Sequence, residues 1–89
     1  MVVRYLIRGE VQGVGFRWFV LREAHRLQLR GWVSNLPDGS VEVVADGPAP
    51  LLAELQRALG RGPTAARISG VENADVPHNI AIPNFFEIK

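Results

Sequence analysis

Hydrophobic and polar positions alternate from Val2 to Arg8, with Val3, Tyr5 and Ile7 on one face and Arg4 and Arg8 on the other. A period of two predicts a half-buried strand. The period then lengthens. Phe16, Phe19, Val20, Ala24 and Leu27 recur at helical spacing while Arg22 and Arg26 point elsewhere, so Phe16–Leu27 is predicted as an amphipathic helix. The aromatic cluster Phe16, Trp18 and Phe19 reads as core packing of that helix rather than as a binding platform. Gly31–Asn35 is predicted as a second strand. Ser40–Asp46 is a third, with Val41, Val43 and Ala45 on one face. Between them Pro37-Asp38-Gly39 supplies turn chemistry: a fixed φ, a side chain that bonds its own backbone, and a residue free to take positive φ. Residues 31–46 therefore form a hairpin.

Gly47-Pro48 breaks the third strand. Leu51, Leu52, Leu55, Ala58 and Leu59 then mark the buried stripe of a helix over Ala49–Leu59, which Gly60-Arg61-Gly62-Pro63 ends. Ala66–Glu72 is a weakly patterned fourth strand anchored by Ile68 and Val71. Asn73–Asn84 has two prolines and no clear period and is expected as loop, and Phe85–Lys89 as a short final strand. The order βαββαβ, with a tight central hairpin, predicts an α+β fold: a ferredoxin-like βαββαβ sandwich with two helices on one face of a mainly antiparallel sheet. Its first two strands run the same way. The glycine-rich stretch after the first and Asn35 at the end of the second then share one sheet edge, where open α/β sheets usually bind ligands.

At 89 residues the chain is expected to be a single domain over 1–89, burying about 60–65% of its unfolded surface. Hydrophobic residues at 47% and charged residues at 21% fit a globular protein and are too apolar for a disordered one. Nine arginines and one lysine are scattered and the net charge is +1, without the concentrated basic face that phosphate-neutralising nucleic-acid binders show. Arg22, Arg26 and Arg30 read as a solvated surface, with Arg17 set apart. The absence of cysteine excludes disulfides and thiolate metal sites. Arg4, Arg8 and Glu10 interrupt any signal-peptide core, and no run approaches the roughly 18 apolar residues of a membrane span, so a cytoplasmic location is the expectation.

Candidate chemistry concentrates in Gly9-Glu10-Val11-Gln12-Gly13-Val14-Gly15-Phe16-Arg17. Glycines let backbone amides turn inward, a helix N-terminus adds unpaired N–H groups, and arginine presents a fork shaped for phosphate. The stretch reads as a phosphate cradle, or alternatively as a glycine-rich strand-to-helix turn with a surface arginine. It is not a dinucleotide fingerprint, whose third glycine would fall at Trp18, nor a nucleoside-triphosphate loop, which needs Gly-Lys-Ser/Thr. Nor can it be a cysteine-phosphatase loop, because no cysteine is present to attack phosphorus. His25, mid-helix, and His78, in the late loop, read as surface histidines.

Together the motifs resemble the acylphosphatase family. Its signature Gly-x-Val-Gln-Gly-Val-Gly-Phe-Arg stands as Gly9 to Arg17, and a second, Gly-Trp-Val-x-Asn followed by a glycine turn and an alternating strand, as Gly31 to Val43. The resemblance covers essentially the whole chain. It implies a metal-free hydrolase of small acyl phosphates that needs no cofactor and no metal ligand, with inorganic phosphate as product and inhibitor. Gln12, Gly13, Val14, Gly15, Phe16 and Arg17 would bind the phosphoryl group, and Asn35 would position the attacking water. A monomer without nucleic-acid or membrane partners is expected. Gln28 departs from the glycine that many relatives carry after the first helix, and Leu36 from the threonine after the catalytic asparagine. The Asn73–Asn84 loop is also richer in asparagine and poorer in acid than the resemblance leads one to expect.

Two rival functions share these features. RNA-recognition modules use the same element order, but their aromatic motif belongs on the third strand, where Ser40-Val41-Glu42-Val43-Val44 carries no aromatic. Acylphosphatase-like domains also occur within larger hydrogenase-maturation proteins, which leaves a non-enzymatic acyl- or carbamoyl-phosphate-binding module as the other alternative.

Overall fold

The computed structural model describes residues 1–89 and runs β1 (Val2–Glu10), α1 (Phe16–Arg26), β2 (Arg30–Asn35), β3 (Val41–Asp46), α2 (Ala49–Arg61), β4 (Arg67–Ala74) and β5 (Phe86–Ile88). The five strands make one mixed sheet in the order β4-β1-β3-β2-β5. Central β3 is antiparallel to both neighbours, with Val43 opposite Tyr5 of β1 and Val33 of β2. It follows that β1 and β2 run the same way. Their last residues, Glu10 and Asn35, come out at the same end of the sheet. Outer strand β4 is antiparallel to β1, and β5 is parallel to β2.

Strand alternation sends Tyr5, Ile7, Val33, Val41 and Val43 toward the helices, where they join Phe16 and Val20 of α1 and Leu55 and Leu59 of α2 in one buried cluster. Each such side chain contributes about 1.5–3 kcal/mol by leaving water. The opposite sheet face is handled differently. Trp32 and Val44 sit opposite one another there, and the Trp32 indole N–H donates to Glu42 at 3.1 Å while Arg4 Nε donates to the other carboxylate oxygen at 2.8 Å. Burial would raise the Glu42 carboxyl, but the hydrogen bonds from Trp32, Arg4 and Ser34, with the Arg4 charge, outweigh it and hold it below its usual value.

The local departures from the sequence reading have physical causes. Ile68 and Val71 are three residues apart, an odd spacing that should put them on opposite faces, yet both pack against the core. The register resolves this: Gly9 pairs with Ile68 but Arg8 with Gly70, so Ser69 is an extra residue in a β-bulge. Gly9 permits that approach, since a Cβ there would stand 2.1 Å from the Arg67 oxygen. Gly9 and Glu10 therefore belong to β1 rather than to the loop after it. Helix α2 likewise runs past Leu59 through Gly60 and Arg61. A single glycine costs a helix only about 1 kcal/mol, and the stop comes at Gly62-Pro63. Asn73 and Ala74 extend β4 into the stretch expected as loop.

Gln28 has φ 56, the left-handed conformation that glycine would occupy at lowest strain. It closes α1 through two main-chain bonds, Leu29 N–H to the Ala24 oxygen at 2.9 Å and Gln28 N–H to the His25 oxygen at 3.1 Å. That pairing is a Schellman motif with Gln28 at its glycine position. Gln28→Gly is expected to stabilise the protein by about 1 kcal/mol, raising Tm by about 4–8 °C for a domain of this size, and to leave turnover unchanged. Thermal unfolding followed by circular dichroism checks this, and an unchanged or lower Tm would contradict it.

Candidate active site

Val11 is buried and anchors the chain where β1 ends. From there Gly13 and Gly15 both take left-handed φ, 76° and 79°, on either side of Val14. A Cβ at either glycine would meet nothing within 4 Å, so glycine is required by the dihedral angle and not by lack of space. The main-chain N–H groups from Gln12 to Trp18 make no hydrogen bond within the protein. The first bond at the head of α1 runs from Phe19 N–H to the Gly15 oxygen at 3.0 Å. The first N–H groups of a helix have no partner within it, and a run of free ones at a helix N-terminus forms an anion-binding concavity. No acidic side chain occupies the first turn of α1 to compete for them.

Arg17 lies within this run. Its Nη1 donates to the Lys89 main-chain oxygen at 3.0 Å, and Lys89 N–H donates to the Val33 oxygen of β2 at 2.8 Å. On the other side, Gln12 Nε2 donates to the Leu36 oxygen at 2.8 Å and the Ser40 oxygen at 2.9 Å. The loop is thus tied through Lys89 to Val33 of β2, two residues before Asn35, and directly to Leu36, one residue after it. Asn35 itself is exposed, and its side-chain amide has no partner in the protein. The turn beyond is held by Asp38, which accepts from the Ser40 hydroxyl at 2.6 Å and the Ser40 N–H at 2.9 Å. These bonds, with Arg8 nearby, keep the Asp38 carboxyl below its ordinary value.

The structure therefore brings Gln12, Gly13, Val14, Gly15, Phe16 and Arg17 to the sheet end where Asn35 lies. The residues differ in what they can offer a ligand. Phe16 has its ring in the core and offers only its N–H. Both N–H bonds of the Gln12 amide are spent on the hairpin, which leaves its main-chain N–H. Sequence reading missed this clamp and the Lys89 anchor. The Val-Gln-Gly of the loop gave a hint of the first, because a side chain with two donors is placed beside a hairpin. Lys89 lies too far along the chain for any local signal. Trp18 corrects the sequence reading: it is 65% exposed, while Phe16 is buried and Phe19 half-buried. The buried stripe of α1 runs Phe16, Val20, Ala24, and position 18 falls off it.

A polar cavity of about 260 Å³ at this end is lined by Arg8, Gly9, Asp38, Gly39 and Ser40. A larger one of about 390 Å³ lies beyond the C-terminus of α1, beside His25, Gln28 and Phe85. Neither contains Arg17 or Asn35. His25 Nε2 is 3.2 Å from the Phe86 oxygen and packs α1 against β5, and His78 is exposed in the loop. No group of three or more His, Cys, Asp or Glu side chains is placed to hold a metal ion, and no helix is long and apolar enough to cross a membrane. The arrangement can hold a tetrahedral oxyanion on main-chain amides and one guanidinium, and can orient a water through a free carboxamide. It presents no nucleophile and no base.

Comparison with known proteins converges on one family. The acylphosphatase family model matches residues 3–88. An acylphosphatase of Koribacter versatilis is 49% identical over 82 residues, covering 92% of this chain and 74% of that protein. The crystal structure of acylphosphatase from Bacillus subtilis superposes with a TM-score of 0.84 at 35% identity, covering 100% of this chain and 99% of the other. That of T. kodakarensis HypF also gives 0.84, at 36% identity, with this chain matching 12% of its length.

Proposed function

This chain belongs to the acylphosphatase family, and from that premise we propose that it hydrolyses small acyl phosphates to carboxylate and inorganic phosphate, with Arg17 and the loop amides binding the phosphoryl group and Asn35 orienting water. The observation that carries this reading is the run of unpaired N–H groups from Gln12 to Trp18, tied by Gln12 to the turn that follows Asn35 and by Arg17, through Lys89, to β2.

The chemistry suits so sparse a site. An acyl phosphate releases a carboxylate whose conjugate acid has a pKa of about 4–5, comparable to Asp or Glu, so the leaving group needs no general acid. Phosphoryl transfer through a loose transition state asks for positioning and charge stabilisation above all. The water oxygen attacks phosphorus as the phosphorus–oxygen bond to the acyl group breaks. The electrons of that bond leave with the carboxylate. Arg17 and the amides hold the non-bridging oxygens, where charge redistributes. The Asn35 side-chain carbonyl accepts a hydrogen bond from the water, which fixes its line of approach. With no base in the site, the water proton passes to a phosphoryl oxygen of the substrate itself. Gln12 acts through position, keeping the Asn35 end of the hairpin against the cradle. The reading is of a cytoplasmic monomer that needs no metal.

Hydrolysis of acetyl phosphate, followed by phosphate release with excess chelator present, tests the reading. Turnover is expected to be undiminished. Activity lost on chelation and restored by one added metal would contradict the metal-free mechanism. Binding of acyl phosphate without turnover would favour the binding-module alternative.

A further inference from the structure

We propose that Trp18 is the platform on which the acyl group of the substrate rests, and that it makes the enzyme prefer acyl phosphates carrying an aromatic acyl group. The inference deepens the hydrolase reading and rests on it. Three large hydrophobic side chains are exposed in this protein: Met1, Trp18 and Phe85. Met1 and Phe85 lie at the opposite end of the sheet from Asn35, beside Gly47 and Gly31. Only Trp18 belongs to the head of α1, and its main-chain N–H is one of the free donors of the cradle.

Helix geometry fixes the direction of its side chain. Phe16, Val20 and Ala24 point into the core, and at 100° per residue position 18 falls about 160° from the centre of that stripe. Helical side chains lean toward the N-terminus, so the indole tilts back toward the Val14-Gly15 turn of the cradle and leaves the space beside Gly15 open. There the chain offers little else. Gly13 and Gly15 have no side chains, and the space beside both is open. A phosphoryl group seated on the amides and Arg17 must project its acyl group outward from the loop, and the indole is the apolar surface on that border. The other tryptophan cannot serve: Trp32 is buried on the far sheet face with its indole N–H on Glu42 and the Lys89 Nζ 4.0 Å from its ring centroid. Stacked or edge-to-face aromatic pairs add to simple area burial, whereas an acetyl group gives the indole a single methyl.

The test compares kcat/KM for benzoyl phosphate and acetyl phosphate, together with inhibition by inorganic phosphate, on the full chain and on Trp18→Ala and Trp18→Phe. Trp18→Ala is expected to lower the benzoyl-to-acetyl ratio by about threefold to tenfold. The readout is the ratio and not the absolute rate, because the main-chain N–H of Trp18, which the substitution keeps, belongs to the cradle. Trp18→Phe should keep most of the preference. An unchanged ratio would overturn the proposal. So would an equal fall for both substrates accompanied by weaker phosphate inhibition, which would make Trp18 a support of the cradle. If the unaltered chain hydrolyses neither compound, the hydrolase reading fails and this assignment goes with it. Since the indole is 65% exposed, the variants should fold, and an unshifted Tm confirms it.

Discussion

Arg17→Ala is expected to lower kcat/KM for acetyl phosphate about 10³-fold or more, the effect that an arginine stabilising a phosphoryl-transfer transition state usually has. The guanidinium touches phosphoryl oxygens before and during the reaction, so binding and rate should both suffer. Lysine should rescue little. Its ammonium is a point charge on a flexible stem, whereas Arg17 has one N–H engaged on the Lys89 oxygen at 3.0 Å and needs the rest of a planar fork for phosphate. Unfolding would not account for the loss. The alanine variant gives up a single exposed hydrogen bond, worth about 0.5–3 kcal/mol, and the aromatic and aliphatic core of α1 is untouched. Steady-state kinetics beside a melting curve separate the two explanations. A folded Arg17→Ala protein with near-normal turnover would remove Arg17 from the mechanism.

Asn35→Ala should give the second largest effect and a different signature. If Asn35 alone orients the water, kcat should fall about 10²–10³-fold, as for the loss of one well-placed donor in an oxyanion hole. KM should change little, because the interaction matters in the transition state and not in holding the phosphoryl group. Stability should hardly move. Asn35 is exposed at the end of β2, and its side chain makes no hydrogen bond in the protein that alanine would break. A rise in KM with kcat preserved would instead make Asn35 a binding residue.

How much of this was legible in the sequence differs from feature to feature. The period-two run through Tyr5 and Ile7 and the helical stripe through Phe16, Val20 and Ala24 gave the core, because both faces of that packing are written in local spacing. The cradle was legible as a motif, since only glycine takes φ 76° and 79° at low strain and the helix start follows directly. Asn35 could be brought to the cradle by topology alone: a parallel β1 and β2 force their ends together. Side-chain partnerships across the fold were not legible. Gln12 and Leu36 are 24 residues apart, Arg17 and Lys89 72, and no local pattern encodes such a pairing. The bulge at Ser69 is why β4 was legible only as a weakly patterned strand, because one extra residue shifts every later side chain to the other face. Trp18 was misread through its neighbours. An aromatic between two packed phenylalanines looks like core until its angle around the helix is counted.

The central claim is that the Gln12–Trp18 amides and Arg17 hold phosphate while Asn35 holds water. The most direct test is the inhibition constant of inorganic phosphate measured side by side on the unaltered chain, Asn35→Ala and Arg17→Ala, using the residual turnover of each variant. The account predicts an inhibition constant for Asn35→Ala within about twofold of the unaltered chain despite its lowered kcat, and a rise of at least about tenfold for Arg17→Ala, the equivalent of one lost charge-assisted hydrogen bond. Phosphate inhibition lost in Asn35→Ala but kept in Arg17→Ala would contradict it and reverse the two roles.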